Sequence, residues 1–474
     1  MANAQRNHDA IVIGSGPNGL AAAITLAQAG KSVAVYEAEP VIGGGARSAE
    51  LTLPGFVHDV CSSVHPMALS SPFFRSLSLD SFGLRWIQPD APLAHPFDDG
   101  TAVVLARSIE ESAAQFGEDA DAVQSLIQPL AKSWDRLAET VLAPPRFPRH
   151  PLALAQFGRN AFYSATKLAR NKFTNARARA VFAGMAAHSM LPLENVLSGA
   201  FGLLMWTTCH SVGWPFAAGG SQSLSNALAE LLRSLGGEIF TSRCVNSLGE
   251  LPPARAVLCD ITPRQFLQIA GGNIGNRERR NFEKYRYGPG VFKVDWALDS
   301  PVPWNAPECA RAGTVHIGGT LEEIAESERA PSQGKIAERP FVLFTQPSLF
   351  DSARAPAGKH TAWAYCHVPN GSGIDMLERI EKQIERFASG FTRRILARSV
   401  MTPAEMQTHN ANLIGGDIGG GSVEIRQFFF RPGVKLYSTS LPHVFLCSSA
   451  TPPGPGVHGM CGYFAARRAL RKCF

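Results

Sequence analysis

Paired cysteines are missing from this sequence. Its nine cysteines (Cys61, Cys209, Cys244, Cys259, Cys309, Cys366, Cys447, Cys461 and Cys473) are scattered singly. None has CxxC spacing, which argues against a zinc ribbon or a thioredoxin-type redox pair. An odd, dispersed set suits a reducing compartment, so the cytoplasm is the expected location. Long apolar runs are missing too. The longest, VLSGAFGLLMWTTC (196–209), holds about 14 residues, against the about 20 needed to span a bilayer. The N-terminal MANAQRNHDA has no apolar core of signal-peptide length. A soluble chain, or one peripheral to a membrane, is expected. Excess charge is modest: 45 Lys and Arg against 39 Asp and Glu, for a net +6. That permits an acidic ligand or an anionic membrane surface, but it is not the clustered basic stripe of a nucleic-acid binder.

At 474 residues the chain exceeds the usual single domain, so two intertwined domains are expected. The most informative stretch is DAIVIGSGPNGLAAAITLAQAGKSVAVYEAE (9–39). Ala10 to Ile13 reads as a buried parallel strand. It enters the turn Gly14, Ser15, Gly16, Pro17, Asn18, Gly19; a helix follows, and then a second strand ending at Glu37. Gly14 permits the tight turn, Gly16 lets backbone approach a pyrophosphate, and Gly19 lets the helix pack on the sheet. Free N–H groups at the helix start suit phosphates. Glu37, 18 residues beyond Gly19, is placed to accept from a ribose diol and would repel a 2′-phosphate. A glycine triplet alone is weak; strand, helix, second strand and acid together form the context of a dinucleotide site.

A second glycine cluster follows directly: Gly43, Gly44, Gly45, Ala46 and Arg47. It could meet the same pyrophosphate from the other side, a feature of FAD proteins of the glutathione-reductase type. No second strand-GxGxxG-helix unit appears; VHIGGTLEEI (315–324) and GGDIGGGS (415–422) lack that context. One dinucleotide, FAD, is expected.

With these motifs the sequence resembles the phytoene desaturase-like FAD oxidoreductases, relatives of the flavin amine oxidases, in the branch labelled pyridine nucleotide-disulfide oxidoreductase domain-containing. The likeness extends to PGFVHDVCSSVHPMALSSPFF (54–74), WPFAAGGSQSLSNALAELLRSLGGEIFTSRCV (214–245), YGPGVFKVDWAL (287–298), AGTVHIGGTLEEI (312–324) and the closing SSATPPGPGVHGMCGYFAA (448–466). The resemblance implies an α/β fold: a Rossmann FAD-binding domain, a mixed-sheet substrate domain and a helical insertion. It implies a discontinuous layout, with residues 1–65, 214–265 and 411–474 on FAD, and 66–213 and 266–410 on substrate, capped by about 105–213. Backbone from Arg243 to Val245 would meet the adenine. The closing loop, Gly456, Val457, His458, Gly459 and Met460, would begin a helix whose N–H groups face the flavin. Flavin amine oxidases usually carry an acid where Ser449 and Ala450 stand; phytoene desaturases lack it too.

Apolar spacing of three and four in SLIQPLAKSWDRLAETVL (125–142) supports the helical insertion. No acid occurs between Glu139 and Glu194, while Arg146, Arg149, Arg159, Lys167, Arg170, Lys172, Arg177 and Arg179 do, with Phe147, Phe157, Phe162 and Phe173 interleaved. This reads either as a solvated basic face or as a peripheral membrane or apolar-substrate entry face.

No Ser-His-Asp set, glycosidase-like carboxylate pair or metal-ligand spacing can be read. His65 and His458 are the candidates for a catalytic acid or base, and the favoured role of His458 is backbone contact. Asp59 and Cys61 accompany His65 in HDVCSSVHP; His188, His210, His316 and His367 are further candidates. The expected activity is hydride transfer from an apolar or conjugated small molecule to flavin N5, with oxygen, a quinone or a diffusible nucleotide as electron acceptor. An amine or amino-acid oxidase, or a flavoprotein without turnover, is the alternative.

Overall fold

A computed structural model of the chain describes residues 7–474, so residues 1–6 of the polar N-terminal stretch lie outside it. Two sheets organise the rest. A five-stranded parallel sheet runs in the order Val444–Leu446, Ala256–Cys259, Ala10–Ile13, Val33–Tyr36, Glu238–Phe240. The three central strands are buried at every position, as expected of apolar four-residue runs covered on both faces. The helix Pro17–Gln28 starts on proline, whose missing N–H costs nothing at a first turn. Ten of its residues are buried. The last helix, Met460–Cys473, packs tightly on it: a Cβ at Gly462 would fall 1.8 Å from the Asn18 carbonyl oxygen.

The second sheet has seven strands in the order Ile395–Met401, Gly290–Leu298, His360–Val368, Val342–Thr345, Ala312–Ile317, Ala91–Pro96, Ala102–Leu105. All pairings are antiparallel except Ala312–Ile317 with Ala91–Pro96. Side chains alternate between its faces. Phe292, Val294, Trp296, Val342, Phe344, Ala362 and Ala364 enter one core, which the helix Leu377–Phe387 helps close through Ile380 and Ile384. Lys293 pairs with Tyr365, Tyr365 with Leu343, and Leu343 with His316 on the other face.

Between Leu105 and Phe216 the described chain has helices and no strand. Here Phe116, Phe173, Phe182 and Trp206 form a ring cluster with centroids 5.7 to 6.2 Å apart. Each such buried ring contributes about 1.5–3 kcal/mol. The interleaved phenylalanines of the basic stretch divide. Phe157 and Phe173 lie in the core, whereas Phe147 is 89% and Phe162 59% exposed. Several of the basic residues meet acids: Arg149 with Glu139, Arg170 with Glu322 and Arg177 with Asp99. No described helix is long and apolar enough to cross a membrane.

Candidate active site

One continuous cavity of about 720 Å³ runs from the end of the central strand of the parallel sheet to the face of the mixed sheet. Its first end is built from backbone. Gly14 takes φ +95° and donates to the Tyr36 carbonyl, 2.8 Å. A Cβ at Gly19 would lie 2.1 Å from the Gly14 oxygen, so the turn and helix can close only on glycine. Glu37 is buried; its Oε2 accepts from the Ser15 N–H at 2.8 Å and hydroxyl at 2.6 Å. Gly14, Gly16, Pro17, Asn18, Glu37, Gly44, Gly45, Arg47, Arg243 and Val245 all line this end. Ser15, Gly19, Gly43 and Ala46 stand behind the lining and shape it. Gly43, for example, donates to the Ser15 carbonyl at 3.1 Å. Arg47 is held by the carbonyls of Gly44 and His409. Burial lowers its pKa, and Glu37 and Glu39 pull it back up.

Asp260 was not singled out from the sequence, yet it lies directly under the glycine turn. Its Oδ2 accepts from the Gly19 N–H at 2.9 Å, and a Cβ at Gly16 would come 2.8 Å from it. Burial raises the Asp260 carboxyl to about 7, against the lowering by that N–H, and Glu37 adds to the rise. The available signal was an acid directly after an apolar strand, the pattern already recognised at Glu37. A glycine turn closed to side chains, a buried acid beside it and a second glycine cluster across the cavity together fit a dinucleotide.

The C-terminal loop reaches the cavity differently from expectation. The helix begins at Met460, not between Gly456 and His458, and Gly459 before it is left-handed. Gly456 and Val457 line the cavity as loop backbone, while His458, Gly459 and Met460 do not. The His458 ring is fully buried; its Nδ1 accepts from the Met460 N–H at 3.0 Å and its Nε2 has no partner. Burial lowers its pKa to about 4. The side chain therefore anchors the start of the helix.

His65 does line the cavity, but both ring nitrogens face hydroxyls: Ser221 Oγ at 2.9 Å and Ser62 Oγ at 3.5 Å. Burial again lowers its pKa to about 4, so the ring is neutral near pH 7. Cys61 is also on the wall, and burial pushes its thiol up to about 11. Asp59 is turned away, in an ion pair with Arg354. Burial would raise the Asp59 pKa, but Arg354, the Ser221 N–H and the Ser63 hydroxyl outweigh it and hold it below the carboxylate range. A second buried ion pair, Lys293 with Asp295, lies on the same sheet face, and His58 Nδ1 is 3.4 Å from Asp295. The signal for this cluster was a lysine and an aspartate inside an otherwise apolar strand.

The far end of the cavity is built from side chains. Met190, Phe201, Leu204, Met205 and Trp214 come from the helical region, and Leu343, Trp363 and Tyr365 from the sheet. Trp363 and Tyr365 stack at 5.7 Å with planes 9° apart. His188 lines this end too, whereas His210, His316 and His367 do not. Asp417 lies on the wall with both oxygens engaged by the N–H groups of Gly288, Gly419 and Gly421 at 2.7 to 2.8 Å. Burial raises its pKa.

A parallel sheet with a glycine turn at the end of its central strand, joined to a mixed sheet that floors a deep cavity, is the arrangement of a flavin-dependent oxidoreductase of the amine oxidase type. The chain belongs to the family described as flavin containing amine oxidoreductase, whose model matches residues 18–266, more than half of it. It is 25% identical to pyridine nucleotide-disulfide oxidoreductase domain-containing protein 2 of Mus musculus, over 98% of this chain and 93% of that one. It is 24% identical to phytoene dehydrogenase of Streptomyces griseus, over 94% and 92%. An oxidoreductase from Methanosarcina mazei shares the fold with a TM-score of 0.67 and 14% identity, covering 98% of this chain and 100% of that one. The protein is an FAD-dependent oxidoreductase.

Proposed function

We propose that the protein is a dehydrogenase or desaturase of apolar or conjugated small molecules. The observation that carries this reading is the composition of the far end of the cavity. Its wall is mainly aromatic, thioether and aliphatic, with uncharged polar side chains at Ser189, Thr314 and Thr345. The acids on the cavity wall are Glu37, Glu39 and Asp260 at the nucleotide end, and Asp417, whose oxygens already accept three backbone N–H groups. A carboxylate is the strongest partner that would offset the desolvation of an ammonium ion here, and of the aromatic faces that could replace it, Trp363 already has the Lys293 ammonium 5.5 Å over its ring. Among the described lining residues no carboxylate is free to serve.

In this reading residues 1–65, 214–265 and 411–474 hold the cofactor, and 66–213 with 266–410 hold the substrate. Gly14, Gly16, Gly44, Arg47 and the helix start at Pro17 bind the pyrophosphate, Glu37 the ribose, Val245 the adenine, and Gly456 and Val457 the flavin. FAD supplies the hydride acceptor. Trp363, Tyr365, Phe201 and Leu204 orient the carbon skeleton and exclude water. The imidazole of His65 is neutral and committed to two serines, so the proton released from substrate goes to water or to another group. Electrons pass on to oxygen, a quinone or a diffusible nucleotide. Contact with a membrane at Phe147, Leu152 and Phe162, which are 89, 86 and 59% exposed, would bring apolar substrates to the protein, which works in or at the edge of the cytoplasm.

The test is anaerobic titration of the holoenzyme with a polyene panel and an amine panel, following loss of the flavin band. Bleaching by polyenes is expected. Bleaching by amines alone would favour the amine oxidase reading, which the family description keeps as the alternative.

A further inference from the structure

His188 caps the helix Ala176–Ala187 and hangs over the strand Ala312–Ile317. Its Nε2 lies 3.0 Å from Nε2 of His316, so one ring donates and the other accepts. Trp214 stands edge-on to His188 at 5.4 Å and 6.0 Å from His316, bracing both rings. His316 is fully buried, and its Nδ1 has no partner. That nitrogen faces the backbone of Gly184, where a Cβ would come within 2.6 Å.

These contacts set the tautomers. A buried N–H without an acceptor is costlier and rarer than a buried lone pair without a donor. His316 therefore keeps Nδ1 bare, carries its proton on Nε2 and donates to His188. His188, accepting at Nε2, must carry its own proton on Nδ1. That N–H has no acceptor among the described residues, and its residue lines the far end of the cavity. Burial keeps both rings neutral: it lowers His188 to about 3, with His367 adding to the effect, and holds His316 well below the usual range.

We infer that the His188–His316 pair is a specificity subsite that donates a hydrogen bond to an uncharged oxygen, a carbonyl, ether or hydroxyl, on an otherwise apolar substrate. The inference rests on the apolar reading of the cavity given above. A neutral donor has nothing to offer an ammonium ion. A carboxylate there would be desolvated without a cation. An oxygen of the right placement satisfies the His188 N–H, which a hydrocarbon of the same shape leaves without an acceptor.

The experiment uses the FAD-loaded enzyme and two ligands, β-ionone and its analogue with CH2 in place of the carbonyl. Binding is read from the perturbed flavin spectrum. In His188→Phe, which keeps an aromatic ring, the ratio of ketone to hydrocarbon affinity is expected to fall about tenfold. His316→Gln retains an amide N–H to donate to His188, so the ratio is expected to hold within about threefold. An unchanged ratio in His188→Phe, with both ligands bound, overturns the subsite and leaves the apolar cavity standing. Binding of neither ligand by the wild-type holoenzyme overturns both. Nitrogen-15 shifts of the wild-type histidines give a reading independent of any variant. A protonated Nδ1 at His188 supports the inference, and a protonated Nε2 overturns it.

Discussion

The two ends of the cavity are made of different material. At the nucleotide end the wall is mostly main chain, a glycine turn, a helix start and a second glycine loop from residues 14 to 47, with the Glu37 and Arg47 side chains beside them. At the far end the wall is side chains, from the helix Ser198–Ser211, the strands Val342–Thr345 and His360–Val368 and the loops that carry Met190 and Trp214. Backbone recognition suits a cofactor that does not vary, because N–H groups cannot be exchanged by substitution. Side-chain recognition leaves the substrate open to change without disturbing the cofactor. At the boundary, Asp59 pairs with Arg354 and His58 lies 3.4 Å from Asp295, which is itself paired with Lys293, so the segment after the second glycine cluster is tied to the mixed sheet and the loop that carries Arg354.

The boundary is where a single change should cost most. Arg354→Met leaves the Asp59 carboxylate buried and unpaired, both side chains being 1% exposed. A loss of about 3–5 kcal/mol in unfolding free energy is expected, read by chemical denaturation. The sign with pH follows from the lowered Asp59 pKa. Its stabilisation is present above the ordinary carboxyl range and lost as pH falls through the folded value. The variant should therefore be markedly less sensitive to acid. Equal acid sensitivity in both proteins would show that the pair does not join the two ends.

Gly19→Ala strikes the nucleotide end alone. A Cβ 2.1 Å from the Gly14 oxygen forces the turn apart at a cost of about 3 kcal/mol. FAD affinity should drop about a hundredfold, read as flavin absorbance per mole of purified protein. Asp260→Asn tests the same end more gently. The Asp260 carboxyl is raised to about 7, so its contribution to stability is present at low pH and lost as pH rises from about 4 through 7. A pyrophosphate nearby favours the protonated form further. FAD affinity of the wild type should therefore fall above about pH 7, by at most about tenfold per pH unit. Asparagine keeps an acceptor for the Gly19 N–H but does not titrate, and its profile should be flat. Two parallel sloping profiles would remove Asp260 as the cause.

At the far end, Trp363→Ala should leave flavin content unchanged and raise KM for an apolar substrate about tenfold, the scale of losing one buried aromatic contact. Loss of flavin in this variant would mean that the two ends are not separable.

Much of the nucleotide end was legible in the sequence because its logic is local. A strand, a glycine triplet, a helix and an acid fall within 28 residues, Ala10 to Glu37, and each has a steric or electrostatic reason that needs no distant partner. The helical character of the region from about 105 to 213 was legible through its period of three to four. What escaped was anything defined by a contact across the chain. Asp260 acts on Gly19, 241 residues earlier. The direction of the His458 side chain, and a helix start a few residues beyond the expected one, depend on Ser71, whose hydroxyl donates to the His458 carbonyl, and on Phe74 crowding Gly459.

By itself, then, the sequence determined that the protein is an α/β flavoprotein with a glycine turn after its first strand, and that a helical region shares the chain. Glycine geometry and hydrophobic period are properties of neighbouring residues. Only the tertiary structure decided which acids and histidines act together, which of them face the cavity, and that its far end is apolar. Burial and pairing set the charge of each such group, and both are made by residues hundreds of positions apart.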